Sequence, residues 1–415
     1  MRKLIPISGS QLLVLVLITQ ALAGGYAIPY QSAKAVGLGN ALTASVTDPS
    51  AVYSNPGALS EVEGSQILAS LSYVNVVSSV TNSGRKSANT QDDHFIPTLF
   101  ASHHLANTDI TLGIGLYAPF GLATSYDSAE FTRFAAVGSE LRTFYVTPAF
   151  AWRVHPTVSF GLGLSFIHSS ALFSRALFLG PGTEGTIKIT GTDQSYAVNV
   201  GVLLKPHERL KLGLSLRGGT ELEFDGARVR VVTPAGARQK ARAKGTEIPL
   251  PPVVSVGIDW QIDRDWSLYF VHDFTHWSEF RNLKARFTPA LLGGALPGLA
   301  IEQNWKNTST LRFGTSYRIH ENWVLRGGVV LDESPIPGQT LGPSIPGADT
   351  LTLNSGLGWQ WRDWKADVGY AAIFSKSRRV NNTVLEANGA STLTPGHDKY
   401  ATFDNFISVS IGYRF

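Results

Sequence analysis

Arg217, Arg312 and Arg326 are the residues whose type and spacing point most directly to chemistry. Each falls in a stretch where apolar and polar residues alternate, and each occupies a polar position of that alternation. A guanidinium on the polar face of a strand offers paired donors to a carboxylate, and a buried anion needs such a partner. The chemistry on offer is capture of an acid head group. The same parity turns Glu221, Asp259, Asp273 and Asp332 to the same side, so ion pairs that brace the interior are the competing use. Among ten histidines and many acids and serines there is no serine on a glycine-flanked turn, no zinc-ligand pair on one helix face and no phosphate-cradling loop. We therefore expect no catalytic residue, no metal and no cofactor.

The elements that hold these arginines alternate with a period of two. Leu210, Leu212, Leu214 and Leu216 interleave with Lys211, Gly213, Ser215 and Arg217, and Trp323, Leu325, Val329 and Leu331 stand against Arg326 and Asp332. The chain ends in the same way, with Ile407, Val409, Ile411, Tyr413 and Phe415 separated by Ser408, Ser410, Gly412 and Arg414. One greasy face and one wet face describe a strand between lipid and an aqueous lumen. The pattern predicts fourteen strands, near 65–79, 94–104, 109–124, 143–154, 157–175, 186–204, 208–231, 245–262, 265–286, 304–319, 322–334, 349–361, 363–377 and 401–415. Six connections are tight, and the seven alternating with them, 80–93, 125–142, 176–185, 232–244, 287–303, 335–348 and 378–400, are long. Short turns on one side and long loops on the other fit an antiparallel transmembrane β-barrel with its turns in the periplasm. Seven of the nine tryptophans, Trp152, Trp260, Trp266, Trp323, Trp359, Trp361 and Trp364, sit near those turns, as an aromatic girdle requires.

The amino terminus predicts export. Arg2 and Lys3 precede the apolar run from Leu12 to Ile18, and Ala21-Leu22-Ala23 carries small residues where a signal peptidase reads. Residues 1–23 are the expected signal peptide, 24–64 a separate segment and 65–415 the barrel. Removing Arg2 and Lys3 takes the formal net charge from +4 to about +2, which excludes a nucleic-acid footprint. There is no cysteine, which excludes disulfides and thiol chemistry. The expected location is the bacterial outer membrane, and the expected associates are its lipids and an assembly machinery that reads the terminal Phe415, with the chain a monomer.

Residues 24–64 lack the period of two but carry Ile28, Val36, Leu38, Leu42, Val46 and Val52, too many apolar positions for a solvated tail. They read as a hatch folded inside the barrel. Gly25-Tyr26, Gly37-Leu38-Gly39-Asn40-Ala41, Asp48 and Asn55-Pro56 resemble the amino-terminal hatch of the outer-membrane long-chain fatty acid transporters, the FadL family, which also includes importers of aromatic hydrocarbons. Gly191-Thr192-Asp193, Phe224-Asp225-Gly226, Trp305 with Arg312-Phe313-Gly314, and Asp332-Glu333-Ser334-Pro335 are similar to family blocks in the same order. The resemblance implies passive, lateral-diffusion transport of long-chain fatty acids or of neutral hydrocarbons, with Tyr26, Asn55, Pro56 and Gly57 on the hatch. Asn55-Pro56-Gly57 departs from the family's usual Asn-Pro-Ala, which bears on how stiffly the hatch is held.

Two further features fit such a path. The third strand alternates through Ile110, Leu112, Ile114 and Leu116 and then meets Tyr117-Ala118-Pro119-Phe120-Gly121. Proline cannot donate to the ladder and glycine permits a bulge, so pairing is expected to fail there, either as a lateral opening or simply as the strand's end. The resemblance implies an opening. In the loops, Phe131 and Phe134, and Leu291, Leu292, Leu296 and Leu299, form apolar clusters where polar residues are usual, suited to capture of substrate, to a lid, or to both.

Overall fold

The computed structural model describes residues 25–82, 84–90, 93–380 and 398–415, so the expected signal peptide and most of the loop at 378–400 lie outside the described residues. Fourteen strands close into one antiparallel barrel. In chain order they are Ser65–Asn82, Asp93–His104, a third in two pieces (Ile110–Tyr117 and Gly121–Ser125), Gly138–His155, Val158–Gly180, Thr183–His207, Leu210–Arg217, Val253–Gln261, Trp266–Thr275, Thr308–His320, Trp323–Asp332, Thr350–Trp361, Trp364–Ser375 and Asp398–Arg414. The last pairs with the first from Gln66 opposite Arg414 to Thr81 opposite Lys399, so the sheet closes on itself. In hydrocarbon that closure is obligatory, because no water is present to satisfy a free edge.

Parity sorts the side chains. Leu214, Leu216, Leu325, Val329, Val409 and Ile411 are exposed on the outer face. Between them, Ser70 meets Ser410 at 2.7 Å and Ser72 meets Ser408 at 2.9 Å, buried on the inner face. Trp152, Trp260, Trp266, Trp323, Trp361 and Trp364 are exposed in the girdle, and Phe415 is the most exposed large apolar side chain, at 77%.

The extracellular half departs from the expected strand limits. Where a loop was expected at 176–185, strands five and six run on to Gly180 and Thr183 and turn tightly at Pro181-Gly182, with Gly182 at φ +68°. Conversely, strands seven and eight stop early. Gly218-Gly219 faces Pro251-Pro252, prolines cannot donate to a ladder, and a Cβ on Gly219 would lie 2.6 Å from Pro252 Cδ. Beyond the break, Thr220–Glu223 and Glu247–Leu250 form a separate two-stranded sheet, and Glu221 is exposed there instead of facing the lumen. The expected loop at 232–244 contains the second strand of a hairpin, Arg228–Val232 with Arg238–Lys244. Strand nine ends at Thr275, and the expected loop at 287–303 falls within another hairpin, Asn282–Leu291 with Leu296–Glu302.

Residues 25–64 contribute no barrel strand. They form helices Ala33–Gly37 and Ala51–Ser54 and a 3-10 turn Pro56–Glu61. Their partners surround them: Thr98 Oγ1 donates to Gln31 O (2.9 Å), Ala33 N to Ser410 Oγ (2.8 Å), Asn55 Nδ2 to Val202 O (3.0 Å) and Asn354 Nδ2 to Val36 O (2.8 Å). Contacts to strands two, six, twelve and fourteen at once place the segment inside the lumen.

Candidate functional site

The third strand breaks at the predicted place. Tyr117 is opposite Tyr145 and Gly121 is opposite Arg142, so three residues, Ala118-Pro119-Phe120, face two, Thr143-Phe144. This is a bulge, and pairing with strand two ends at Leu99 opposite Leu116. Strand two carries Pro97 just beyond that point, paired with strand one only, so both sides of the gap hold a residue without an N–H.

The amino-terminal end of the inner segment covers the gap. Ile28 N donates to Pro119 O at 2.7 Å, Gly121 N donates to Tyr26 O at 2.9 Å, and Ala27 bridges Phe120. Gln31 adds its side-chain amide: Nε2 donates to Ala118 O at 3.2 Å, and Oε1 accepts from Ala118 N at 3.3 Å. These bonds satisfy backbone groups that the ladder leaves free.

Three cavities meet at this place. An apolar chamber of about 90 Å³ is lined by Tyr26, Leu141, Phe173, Phe224, Phe280 and Leu299. A side cavity of about 780 Å³ runs from Tyr26 and Phe120 to Phe95, Ile96 and Pro97 at the gap. A polar cavity of about 60 Å³ lies below Pro119 and Phe120, with Tyr53, Arg217, Asp273 and Arg312 in its wall. Tyr26 stands between the first two. Its ring packs on Trp277 (4.7 Å), Trp305 (5.5 Å) and Phe280 (6.1 Å), and its hydroxyl donates to Pro249 O. Burial in this cluster pushes the Tyr26 hydroxyl well above its ordinary value, so it acts as a neutral donor. Sequence reasoning missed Trp277 and Trp305 as the rings that hold Tyr26 in place. Their signal was available: they are the two tryptophans that do not sit near a periplasmic turn.

The arginines divide by partner. Arg312 Nε donates to Asp273 Oδ2 at 2.7 Å and its Nη1 to Gly39 O at 3.2 Å, all buried. Arg326 Nη1 meets Asp367 Oδ1 at 2.6 Å, away from the cavities. Arg217 has no carboxylate within ion-pair distance among the described residues. Its guanidinium lies 4.1 Å over the Tyr53 ring, its Nη2 donates to Tyr53 O at 3.4 Å, and its Nε has no partner.

Asn55, Pro56 and Gly57 line none of these cavities. They dock the inner segment on the wall, with Asn55 Nδ2 donating to Thr43 O (2.7 Å) as well as to Val202 O, and Oδ1 accepting from Gly57 N (3.0 Å). Gly57 lies against the backbone of Gly201, where an added Cβ would come within 2.8 Å of its carbonyl oxygen. The glycine that departs from the resembled pattern is thus the residue this close approach requires. Tyr117 is buried between Phe100 (5.7 Å) and Tyr145 (5.5 Å) beside the gap. The apolar loop residues face inward: Phe131, Phe134 and Leu291 are buried, and Leu292, Leu296 and Leu299 are partly buried against the same core. They turn toward the core, with Leu292, Leu296 and Leu299 keeping part of their surface exposed.

A family model described as outer membrane protein transport protein (OMPP1/FadL/TodX) matches residues 14–415. The chain is 22% identical to the long-chain fatty acid transport protein of Salmonella typhi, over 94% of this chain and 96% of that protein. Among solved structures, a Pseudomonas aeruginosa FadL homologue superposes with a TM-score of 0.82 at 18% identity, covering 94% of this chain and all (100%) of that one. The P. putida toluene transporter TodX gives 0.74 at 17% identity, covering 95% and 99%. At these identities the structural likeness shows the fold.

Proposed function

Because the chain belongs to the outer membrane transport proteins of the OMPP1/FadL/TodX family, and so carries hydrophobic substrates across the bacterial outer membrane, we propose that its cargo is long-chain fatty acids. The acyl chain enters the apolar chamber under the roof of Phe131, Phe134 and Leu291, passes Tyr26, and leaves sideways through the gap between strands two and three. Residues 25–64 act as the plug that keeps this path from leaking. No energy source takes part; the drive is transfer of apolar surface out of water into the bilayer. The last strand pairs with the first within one chain, which supports a monomer, and the exposed Phe415 is the proposed signal for assembly.

The observation that carries the fatty acid reading is Arg217, a lumenal cation with an unsatisfied Nε and no carboxylate within ion-pair distance among the described residues, in a cavity adjoining the path. A buried carboxylate left without its cation costs about 3 kcal/mol or more, roughly a hundredfold in affinity. Arg217→Met is expected to weaken oleate binding by that factor and to spare a neutral hydrocarbon of similar length. Equal retention of both ligands would refute the reading, and loss of both would make Arg217 a structural brace. One observation favours neutral aromatic hydrocarbons instead. The apolar chamber, with Tyr26, Phe173, Phe224 and Phe280 in its wall, is about 90 Å³, less than the roughly 150 Å³ of a cavity that holds benzene, so either cargo needs Tyr26 to move and a single aromatic ring needs the smaller movement. Retention of toluene affinity together with unchanged, weak oleate binding in Arg217→Met would establish that alternative.

A further inference from the structure

The extracellular wall carries a basic surface that the transport path does not use. Thr183–His207, Arg228–Val232, Arg238–Lys244 and Asn282–Leu291 pair side by side there. Their register sets cation against cation: Arg228 opposite Arg242, Arg230 opposite Lys240 and also opposite Lys188, and Lys244 opposite Arg286. All are exposed, and none forms an ion pair among the described residues. Like charges directly opposite one another destabilise a sheet. An arrangement repeated across four strands therefore calls for an anion from outside.

Parity and height say where that anion lies. Ile187, Val229, Val231, Ala241 and Phe287 alternate with the cations and are buried in the core that closes over the chamber, so the cations face outward. On strand six the outward series runs unbroken from the lipid-facing Val200 and Val198 through Tyr196 to Lys188. Tyr196, 62% exposed, ends the apolar part, because Gln194 and Thr192 follow on the same face. Thr190, opposite Arg228, and Lys188 are six and eight residues further on, roughly 20–27 Å along the strand and about 15–20 Å above the hydrocarbon once strand tilt is included. At that height the outer leaflet presents the acidic inner sugars of its glycolipid.

We propose that this face binds the phosphate- and carboxylate-bearing inner sugars of the lipopolysaccharide that surrounds the barrel. The surface docks the extracellular wall to its own leaflet, and it lies on the opposite side of the same strands from the substrate chamber. Arginine supplies paired donors matched to phosphate oxygens, and several cations on a rigid sheet meet several anions on one glycolipid without reordering.

The test uses the full chain purified in detergent and titrated with rough lipopolysaccharide, with the same material dephosphorylated, and with inorganic phosphate. Arg230→Gln with Lys240→Gln and Arg242→Gln is expected to weaken rough lipopolysaccharide binding roughly a hundredfold, at about fivefold per cation. Dephosphorylation and raised salt should weaken the wild type in the same direction. The control removes three exposed cations near the periplasmic turns, Arg209→Gln, Arg264→Gln and Arg318→Gln, and should leave binding unchanged. Folding of each variant is checked by the heat-induced shift in gel mobility; if the triple variant does not fold, Lys240→Gln alone should still show about a fivefold loss. Unaltered affinity in a folded variant, equal loss in the periplasmic control, or displacement of the glycolipid by millimolar inorganic phosphate would each overturn the proposal.

Discussion

The side chain of Gln31 is bonded twice to the backbone of Ala118, accepting from its N–H at 3.3 Å and donating to its carbonyl at 3.2 Å. A residue of the inner segment thus replaces the neighbouring strand where the ladder between strands two and three fails. Gln31→Leu keeps the bulk and removes both bonds. Leaving a buried peptide group unpaired costs about 1–3 kcal/mol. Amide exchange at Ala118 should quicken, and unchanged protection there would show that other bonds hold the gap closed.

Ala118-Pro119-Phe120 opposes Thr143-Phe144, one residue too many for a regular ladder. Deleting Pro119 returns two residues against two and adds no residue that lacks an N–H. The wall should then close, and uptake of a radiolabelled hydrophobic substrate should fall while the barrel still assembles. Uptake at the wild-type rate would remove the gap from the path.

Gly57 meets the carbonyl of Gly201 where a methyl group has no room. Gly57→Ala must shift the Asn55-Pro56 turn off the wall or strain it, at about 1–3 kcal/mol. The expected outcome is a raised single-channel conductance as the plug loosens, with the barrel's own melting little changed. A variant as tight as the wild type would mean that the turn relaxes without opening a leak.

Glu61 ends the inner segment among three cations, with Lys205 Nζ at 2.7 Å, Lys211 Nζ at 3.0 Å and Arg153 Nη2 at 3.5 Å. Burial acts to raise its pKa, but the two lysines outweigh burial and hold it below the ordinary carboxylate value. A carboxyl whose folded pKa is depressed stabilises fully above its unfolded value, about 4.3, and the contribution is lost as pH falls through the folded value. Lowering pH from about 5 to about 3 should therefore raise conductance by releasing this end of the plug. Glu61→Gln should be leaky at both pH values. A leak that keeps its acid dependence in Glu61→Gln would assign the effect to another carboxylate.

The sequence by itself determined the barrel, the number and order of its strands and the face that residues of the membrane-spanning part take, because period-two alternation is a local property of extended backbone in contact with lipid; Glu221, beyond that part, escaped it. Leu214, Arg217, Ser410 and Ile411 could each be assigned a side without knowledge of any neighbour. Pro119 was legible for a similar reason, since a missing N–H breaks any ladder. Tertiary structure decided what parity leaves open. Arg217, Arg312 and Arg326 all point inward, yet Arg312 meets Asp273 from the adjacent strand, Arg326 meets Asp367 two strands away, and Arg217 meets no acid among the described residues. Which partner each finds depends on the stagger between strands and on the course of residues 25–64 through the lumen. The same holds for Tyr26 between Trp277 and Trp305, which are more than 250 residues from it in sequence, and for the cations of the extracellular wall. They stand in like-charged pairs only because hairpins formed where an alternation-based reading placed loops, and hairpin register is set by long-range closure of the sheet, not by the residues of one strand.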